Sequence, residues 1–271
     1  MTKLTINTEW EKYIKNEIKR GISKEKLEDI LIKQNYHKSV INKLLNDVES
    51  IIVLDDLESK TLNKDPLVKV FDNFLTDEES SHFINICKTE LKRSEVSGKD
   101  GGMISNGRTG YNTWLQHNYD NITKRVSQKI AKIVNLPVEN AEAFQFIYYD
   151  KAQEYRNHYD SWDHDNSDKT LRCMKYGGAR LVTALCYLND VKKGGGTKMT
   201  KLNITVEPIK NRLLIFQNTI NYNNHNKHPL SEHAGLPVEE GEKYAFNLWF
   251  KECNSKKLYK NFNPNYYIIY I

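Results

Sequence analysis

The sequence predicts an α+β fold that is mainly β, with a small N-terminal helical bundle, two supporting helices and then a barrel or sandwich of short strands. Apolar residues recur at helical spacing through residues 8–50, and again over about 75–91 and 119–134. From Ala143 onward the texture changes to strand-like runs, with Pro and Gly between the runs rather than within them.

The elements follow in chain order. Trp10, Ile14 and Ile18 recur every four residues, Gly21 breaks the pattern, and Ser23 can cap a second helix whose stripe is Leu27, Ile30 and Leu31. Tyr36 closes it, and Val40, Leu44 and Leu45 mark a third segment. So small a bundle has little core of its own. It is expected either to cover a sheet edge or to bind a protein partner or another subunit. Residues 1–50 are therefore read as a module, 51–64 as a charged linker and 65–271 as the main domain.

Val68–Phe71 has strand character, and Leu75-Thr76-Asp77-Glu78-Glu79 reads as a capped helix start that runs to about Leu91. Residues 97–110 are rich in turn formers and read as a mobile loop. A helix over about 119–134 places Ile122, Val126, Ile130 and Ile133 on one face. Strands are expected at 143–150, 155–160, 179–188, 202–207, 212–217, 230–234 and 242–251.

With 39% hydrophobic and 28% charged residues in 271, the composition is that of a soluble globular chain with ample length for a core. The net charge of +5 comes from 40 basic and 35 acidic residues well mixed, so nucleic acid is not expected as a partner. The first ten residues lack an apolar signal core, and no run approaches the roughly 18 apolar residues of a membrane helix. Cys87, Cys173, Cys186 and Cys253 show no paired spacing. These features predict a cytoplasmic protein without disulfides or membrane attachment.

His158-Tyr159-Asp160 is the single His-x-Asp of the chain. Alternate residues of a strand share a face, so this pair can grip one metal ion. His225 and His228 lie in a polar, loop-like stretch and are read as surface residues. His233 lies on a strand–turn–strand segment and is the third candidate ligand. Two His and one carboxylate are the ligand set of non-haem Fe(II) oxygenases. Lys243 follows ten residues later, flanked by an apolar strand. There it could meet the far carboxylate of 2-oxoglutarate as a partly buried cation. A zinc hydrolase could use the same three ligands, but it has little use for Lys243.

These residues carry a resemblance to the prolyl 4-hydroxylases, within the 2-oxoglutarate- and Fe(II)-dependent dioxygenases, over roughly residues 65–252. The family's Tyr-x-x-Gly-Gln-x-Tyr-x-x-His-x-Asp resembles Tyr149 to Asp160, with Gln153 and Tyr155 in place. Its Arg-x-x-Thr-x-Leu-x-Tyr-Leu and Gly-Gly-x-Thr are similar to Arg180–Leu188 and Gly194–Thr197. Its His-x-Gly-x-Pro-Val resembles His233 to Val238, and its Phe-Leu-(Ser/Thr)-x-Glu-Glu resembles Phe74 to Glu79. Arg108-Thr109-Gly110 is like the Arg-Thr-Ser loop.

The resemblance implies a double-stranded β-helix, or jelly roll. It implies Fe(2+) on His158, Asp160 and His233, with 2-oxoglutarate on Lys243 aided by Tyr149 and Thr197. Tyr155, Arg180 and Trp249 match positions on the substrate side. The expected reaction is procollagen-proline 4-dioxygenase-like: O2 is consumed, 2-oxoglutarate is decarboxylated to succinate and CO2, and a proline in a peptide or protein is hydroxylated. L-ascorbate is the further cofactor expected. A related dioxygenase acting on lysine or a small molecule, and a non-catalytic binding protein retaining the fold, are the alternatives. The chain departs from the family at Gly110 (Ser in the loop motif), at Ala152 (Gly) and at Lys251, where some members carry His. The acidic stretch 163–168 is read as a solvated loop.

Overall fold

The computed structural model describes residues 3, 5–19, 22–45, 57–98, 100–221 and 224–259. The chain divides into two compact units, Met1–Leu57 and Glu58–Ile271.

In the first unit, α1 (Thr8–Lys19), α2 (Lys24–Lys33) and α3 (38–45) share a core of Ile14, Leu27, Leu31, Ile41, Leu44 and Leu45. The Ser23 hydroxyl accepts from the Lys26 amide at the start of α2, satisfying one of the donors a helix leaves unpaired there. Trp10 meets the edge of Tyr36 at 5.9 Å between ring centroids, closing one end of this core.

The second unit opens with β1 (Ser59–Lys64), β2 (Leu67–Phe71) and α4 (Asp77–Cys87). It continues through β3 (Lys92–Arg93), β4 (Glu95–Ser97), β5 (Gly102–Ile104), β6 (Tyr111–Leu115) and α5 (Asn121–Ile133). Then come β7 (Phe144–Tyr149), β8 (Tyr155–His158), α6 (Asp168–Met174), β9 (Arg180–Tyr187), β10 (Lys193–Gly194), β11 (Thr197–Met199) and β12 (Ile204–Val206). The last strands are β13 (Leu213–Gln217), β14 (Thr219–Asn221), β15 (Asn224–Lys227), β16 (His233–Gly235), β17 (Val238–Glu240) and β18 (Lys243–Lys251).

An eight-stranded sheet runs β1-β2-β13-β9-β18-β7-β6-β3, and a four-stranded sheet runs β12-β11-β16-β8. One apolar cluster joins them: Tyr149, Leu185, Tyr187 and Phe216 come from the large sheet, Met199 and Val206 from the small one. This is the double-stranded β-helix, or jelly roll, with supporting helices. The large sheet has two distinct faces because its strands alternate. On β18, Phe246 is fully buried against Phe83 of α4 at 4.8 Å between centroids, and Phe144 of β7 completes the trio at 5.1 Å from Phe83. Lys243, Asn247 and Trp249 occupy the alternate positions and face the other way, toward the cavity.

The two supporting helices begin where the sequence marks them. Thr76 and Glu79 form a reciprocal capping box at α4, and Asp120 and Thr123 form another at α5. Among the described residues, no helix is long and apolar enough to cross a membrane.

The structure differs from expectation in two places. Of the segment read as a linker, residues 51–56 lie outside the described residues, and 59–64 form β1. That strand lies at a sheet edge and is mostly exposed, so Ser-Lys-Thr-Leu-Asn-Lys shows no apolar alternation to reveal it. The stretch 97–110, read as a mobile loop, contains β5 paired with β4 and ends in the buried Arg108. The acidic stretch 163–168 is a largely exposed loop up to Ser167, as expected, and leads into α6, whose cap is the Ser167 hydroxyl accepting from the Thr170 amide.

Ala152 sits at φ +64 in the turn between β7 and β8, a left-handed conformation that costs a residue with a Cβ about 1 kcal/mol. Ala152→Gly is expected to raise stability by about 0.5–1 kcal/mol, measured as a shift of the urea midpoint at unchanged slope.

Candidate active site

Three side chains converge because two strands of the small sheet pair in one register. β8 ends at His158, β16 begins at His233, and the two residues lie directly opposite one another. Asp160 follows two positions after His158. The ligand atoms of His158, Asp160 and His233 all lie within 4.8 Å of one another. His158 Nε2 is 3.6 Å from Asp160 Oδ1, and His233 Nε2 is 3.6 Å from Oδ2.

Each imidazole is oriented by its other nitrogen. Nδ1–H of His158 donates to the Arg156 carbonyl at 2.8 Å, and Nδ1–H of His233 donates to the Ser231 carbonyl at 3.0 Å. A neutral ring held this way points the Nε2 lone pair inward. Burial, then the neighbouring His158, pushes the His233 pKa down to about 4, so that ring is neutral at ordinary pH. Burial by itself would raise the Asp160 pKa, but His233, His158 and Arg180 hold it below the usual carboxylate range. Two imidazole nitrogens and one ionised carboxylate are a donor set that suits Fe(II).

The carboxylate is fixed from behind. Thr183 Oγ1–H donates to Asp160 Oδ2 at 2.7 Å, and the Trp249 indole N–H donates to the same oxygen at 2.9 Å. Thr183 and Trp249 are paired residues on β9 and β18, so one cross-strand position supplies both donors. Asn218 Nδ2 in turn donates to Thr183 Oγ1 at 2.8 Å. Both carboxylate donors use Oδ2, while Oδ1 faces His158.

A second charged group backs Trp249. The Arg180 guanidinium lies 3.6 Å from the Trp249 ring centroid and makes two bonds to Glu142, at 2.7 and 2.9 Å. Lys251, where some relatives carry His, is buried beside this pair and donates to the Cys173 carbonyl at 3.2 Å. Gly110, another departure, has a physical reason. A Cβ there would lie 2.5 Å from Cε1 of Tyr149 and 2.7 Å from the Tyr148 carbonyl.

Lys243 is 2% exposed, and its ammonium donates to the Gly195 carbonyl at 2.6 Å. Gly195 takes φ +69, a turn conformation that aims this carbonyl inward. Among the described residues no carboxylate pairs with Lys243, and burial alone lowers its pKa to about 7. The Tyr187 hydroxyl donates to Thr197 Oγ1 at 2.7 Å, which leaves the Thr197 O–H to donate elsewhere. The Tyr149 hydroxyl lies beside the Arg108 guanidinium.

All nine residues singled out from the sequence, Tyr149, Tyr155, His158, Asp160, Arg180, Thr197, His233, Lys243 and Trp249, line one cavity of about 1040 Å³. Tyr155 stacks on the His158 ring at 3.5 Å between centroids, and Arg108 lies over its other surroundings at 4.7 Å from the Tyr155 centroid. Glu142, Thr183, Tyr187 and Asn218 also hold the site together. Thr183 and Tyr187 fall in a recognisable motif. Glu142 and Asn218 have no local pattern that marks them, because their partners lie 38 and 35 residues away. His225 and His228, read as surface residues, are each 7% exposed. The β14–β15 hairpin folds inward, His225 Nδ1 lies 3.1 Å from the buried Glu252, and His228 Nδ1 accepts from the Leu230 amide.

A family model described as the 2OG-Fe(II) oxygenase superfamily matches residues 144–251. The chain is 34% identical over 204 residues to "Probable prolyl 4-hydroxylase 7" of Arabidopsis thaliana, covering 68% of this chain and 62% of that protein. It is 31% identical over 220 residues to "Prolyl 4-hydroxylase 2" of the same plant, covering 73% and 71% respectively. The solved viral collagen prolyl hydroxylase of Paramecium Bursaria Chlorella virus-1, in its 2OG complex, aligns with a TM-score of 0.54 and 26% identity. That alignment covers 67% of this chain and 94% of the viral one.

The buried Lys243 sets a pH dependence for the metal-free protein. From about 7 up to its ordinary 10.5, the unfolded chain holds this proton while the folded chain sheds it. Folding stability therefore gains from this group as pH rises through that window, and the burial penalty is fullest below it. Lys243→Met should remove this contribution and flatten the rise, as read from urea midpoints of both proteins at several pH values. Parallel curves would contradict the buried position.

Proposed function

We infer the reaction from one premise: this chain belongs to the prolyl 4-hydroxylase family of 2-oxoglutarate- and Fe(II)-dependent dioxygenases. The function supported best is hydroxylation of a proline in a peptide or protein, coupled to oxidative decarboxylation of 2-oxoglutarate to succinate and CO2. One observation carries it. A buried ammonium that meets no carboxylate among the described residues shares its cavity with two inward-facing imidazoles and an ionised carboxylate.

His158, Asp160 and His233 would hold the metal, and Fe(II) when bound supplies the oxygen chemistry that no side chain can. The remaining work belongs to the chain. Lys243 binds the far carboxylate of 2-oxoglutarate, and a charge-assisted bond there offsets the burial of both groups. The Thr197 hydroxyl, already receiving the Tyr187 proton, donates its own to the same carboxylate, and Tyr149 adds a second hydroxyl. Thr183 and Trp249 keep Asp160 from rotating, so the ligand geometry is set before the metal arrives. Tyr155 packs on one ligand ring, and its exposed edge with Arg180 forms the wall on which the substrate lies. L-ascorbate serves as the reductant in this scheme.

The reading is tested by incubating proline-containing peptides with Fe(II), 2-oxoglutarate and ascorbate. One added oxygen located on proline by mass spectrometry, with matching succinate, is the expected result. Oxygen on lysine, or succinate without peptide oxidation, would overturn it. His158→Ala and Asp160→Ala should each lose turnover by about a hundredfold or more. Trp249→Phe should weaken metal binding by about 10–100-fold in a direct titration, since it removes one of the two donors to Asp160.

A further inference from the structure

Asp160 is held by a relay that begins outside the cavity. Thr183 and Asn218 are both fully buried, and neither lines the cavity wall. Asn218 stands between β13 and β14, where the chain leaves the large sheet. Its backbone is pinned on both sides: its N–H donates to the Leu181 carbonyl at 2.8 Å, and its carbonyl accepts from the His228 amide at 2.7 Å. The His228 carbonyl in turn accepts from the Ser231 amide at 2.9 Å and the Ser231 hydroxyl at 2.8 Å. The Ser231 carbonyl is the group that orients His233. One residue thus stands behind two of the three ligands, by its side chain toward Asp160 and by its backbone toward His233.

The polarity of the relay is its informative feature. A threonine hydroxyl has one proton and two lone pairs, so two acceptors within reach would compete for the proton. The Asn218 amide turns its nitrogen, not its oxygen, to Thr183 Oγ1. That nitrogen can only donate. It occupies a lone pair of Thr183 and sends the single Thr183 proton to Asp160 Oδ2. The orientation has a cost, because Asn218 Oδ1 is buried and has no hydrogen-bond partner among the described residues. An unpaired buried acceptor is unfavourable. The oxygen is left unsatisfied while the nitrogen sits on Thr183, so the donor end is the one with a task.

We propose that Asn218 is a positioning residue of the metal site: its side-chain amide sets the direction of the Thr183 hydroxyl and so keeps two donors on one oxygen of Asp160. This rests on reading His158, Asp160 and His233 as metal ligands, and not on the identity of the substrate. With Thr183 and Trp249 both on Oδ2, the carboxylate cannot turn, and Oδ1 stays toward His158. An apolar side chain at 218 would free the Thr183 hydroxyl to rotate. An acid there would draw the Thr183 proton away from Asp160. Partners of this kind alter metal affinity by about 10–100-fold. Because Asn218 reaches Asp160 through Thr183, its contribution lasts only while the Thr183 hydroxyl is present.

The test is a double-mutant cycle on the full chain, read by Co(II) titration, with the visible absorption of the bound ion as a second readout. Thr183→Val and Asn218→Leu should each weaken Co(II) binding about tenfold and shift that absorption. The double variant should bind no more weakly than Thr183→Val does. Factors that multiply in the double variant would overturn the relay, since a merely structural loss is independent of Thr183. Asn218→Asp keeps the size of the side chain and reverses the relay, so it carries the test if the leucine variant does not fold. It should weaken binding at least as much as Thr183→Val, and wild-type affinity in it would overturn the proposal. Asp160→Ala separates the two readings. If it binds Co(II) as tightly as wild type, the ligand assignment falls and this proposal with it; if it loses binding, failure of the cycle falls on Asn218 alone.

Discussion

The pairing of β8 with β16 is the constraint on which the rest depends. It sets His158 against His233 across two strands separated by 75 positions in sequence, and Asp160 joins them from the residues that follow. A shift of one residue in that register would turn His233 to the opposite face of its strand, since side chains alternate. The small sheet is therefore held where slippage is costly. β11 pairs with β16 on its other edge, and Met199 and Val206 sink into the core between the sheets.

Around that pairing the molecule keeps an unusual number of charges out of water. Most are matched. Arg180 meets Glu142 with two bonds, Asp160 meets two donors and two imidazoles, and Glu252 meets His225 and the Ala179 amide. Among the described residues Lys243 has a carbonyl as its one hydrogen-bond partner, and burial of an ammonium on those terms is unfavourable. A folded chain tolerates such a group where a ligand completes it, which is why this lysine says more about chemistry than the paired charges do.

The supporting helices act at one remove. Phe83 of α4 wedges between Phe144 and Phe246, on the face of the large sheet turned away from the cavity. Because β7 and β18 alternate, fixing those rings also fixes the height of Gln145, Tyr149, Lys243, Asn247 and Trp249 on the other side. Apart from Asp160, just past the end of β8, the site is built on strands, and its polar groups are placed by a dry apolar layer behind them.

The candidate metal-ligand pair, the third candidate ligand, the lysine and the main strands were legible in the sequence, because each is written in local spacing: i, i+2 for His158 and Asp160, ten residues from His233 to Lys243, and apolar runs bounded by Gly and Pro. It also marked the cap of α4 at Thr76, but not the one at Asp120. Tertiary structure alone decided what those residues touch. That Trp249 donates to Asp160, that Glu142 and Asn218 belong to the site, and that His225 and His228 are buried all depend on partners far away in the chain. β1 was hidden for a related reason, since a mostly exposed edge strand carries no apolar period. Spacing records which face of a strand a residue takes; only strand order and register record what lies opposite it.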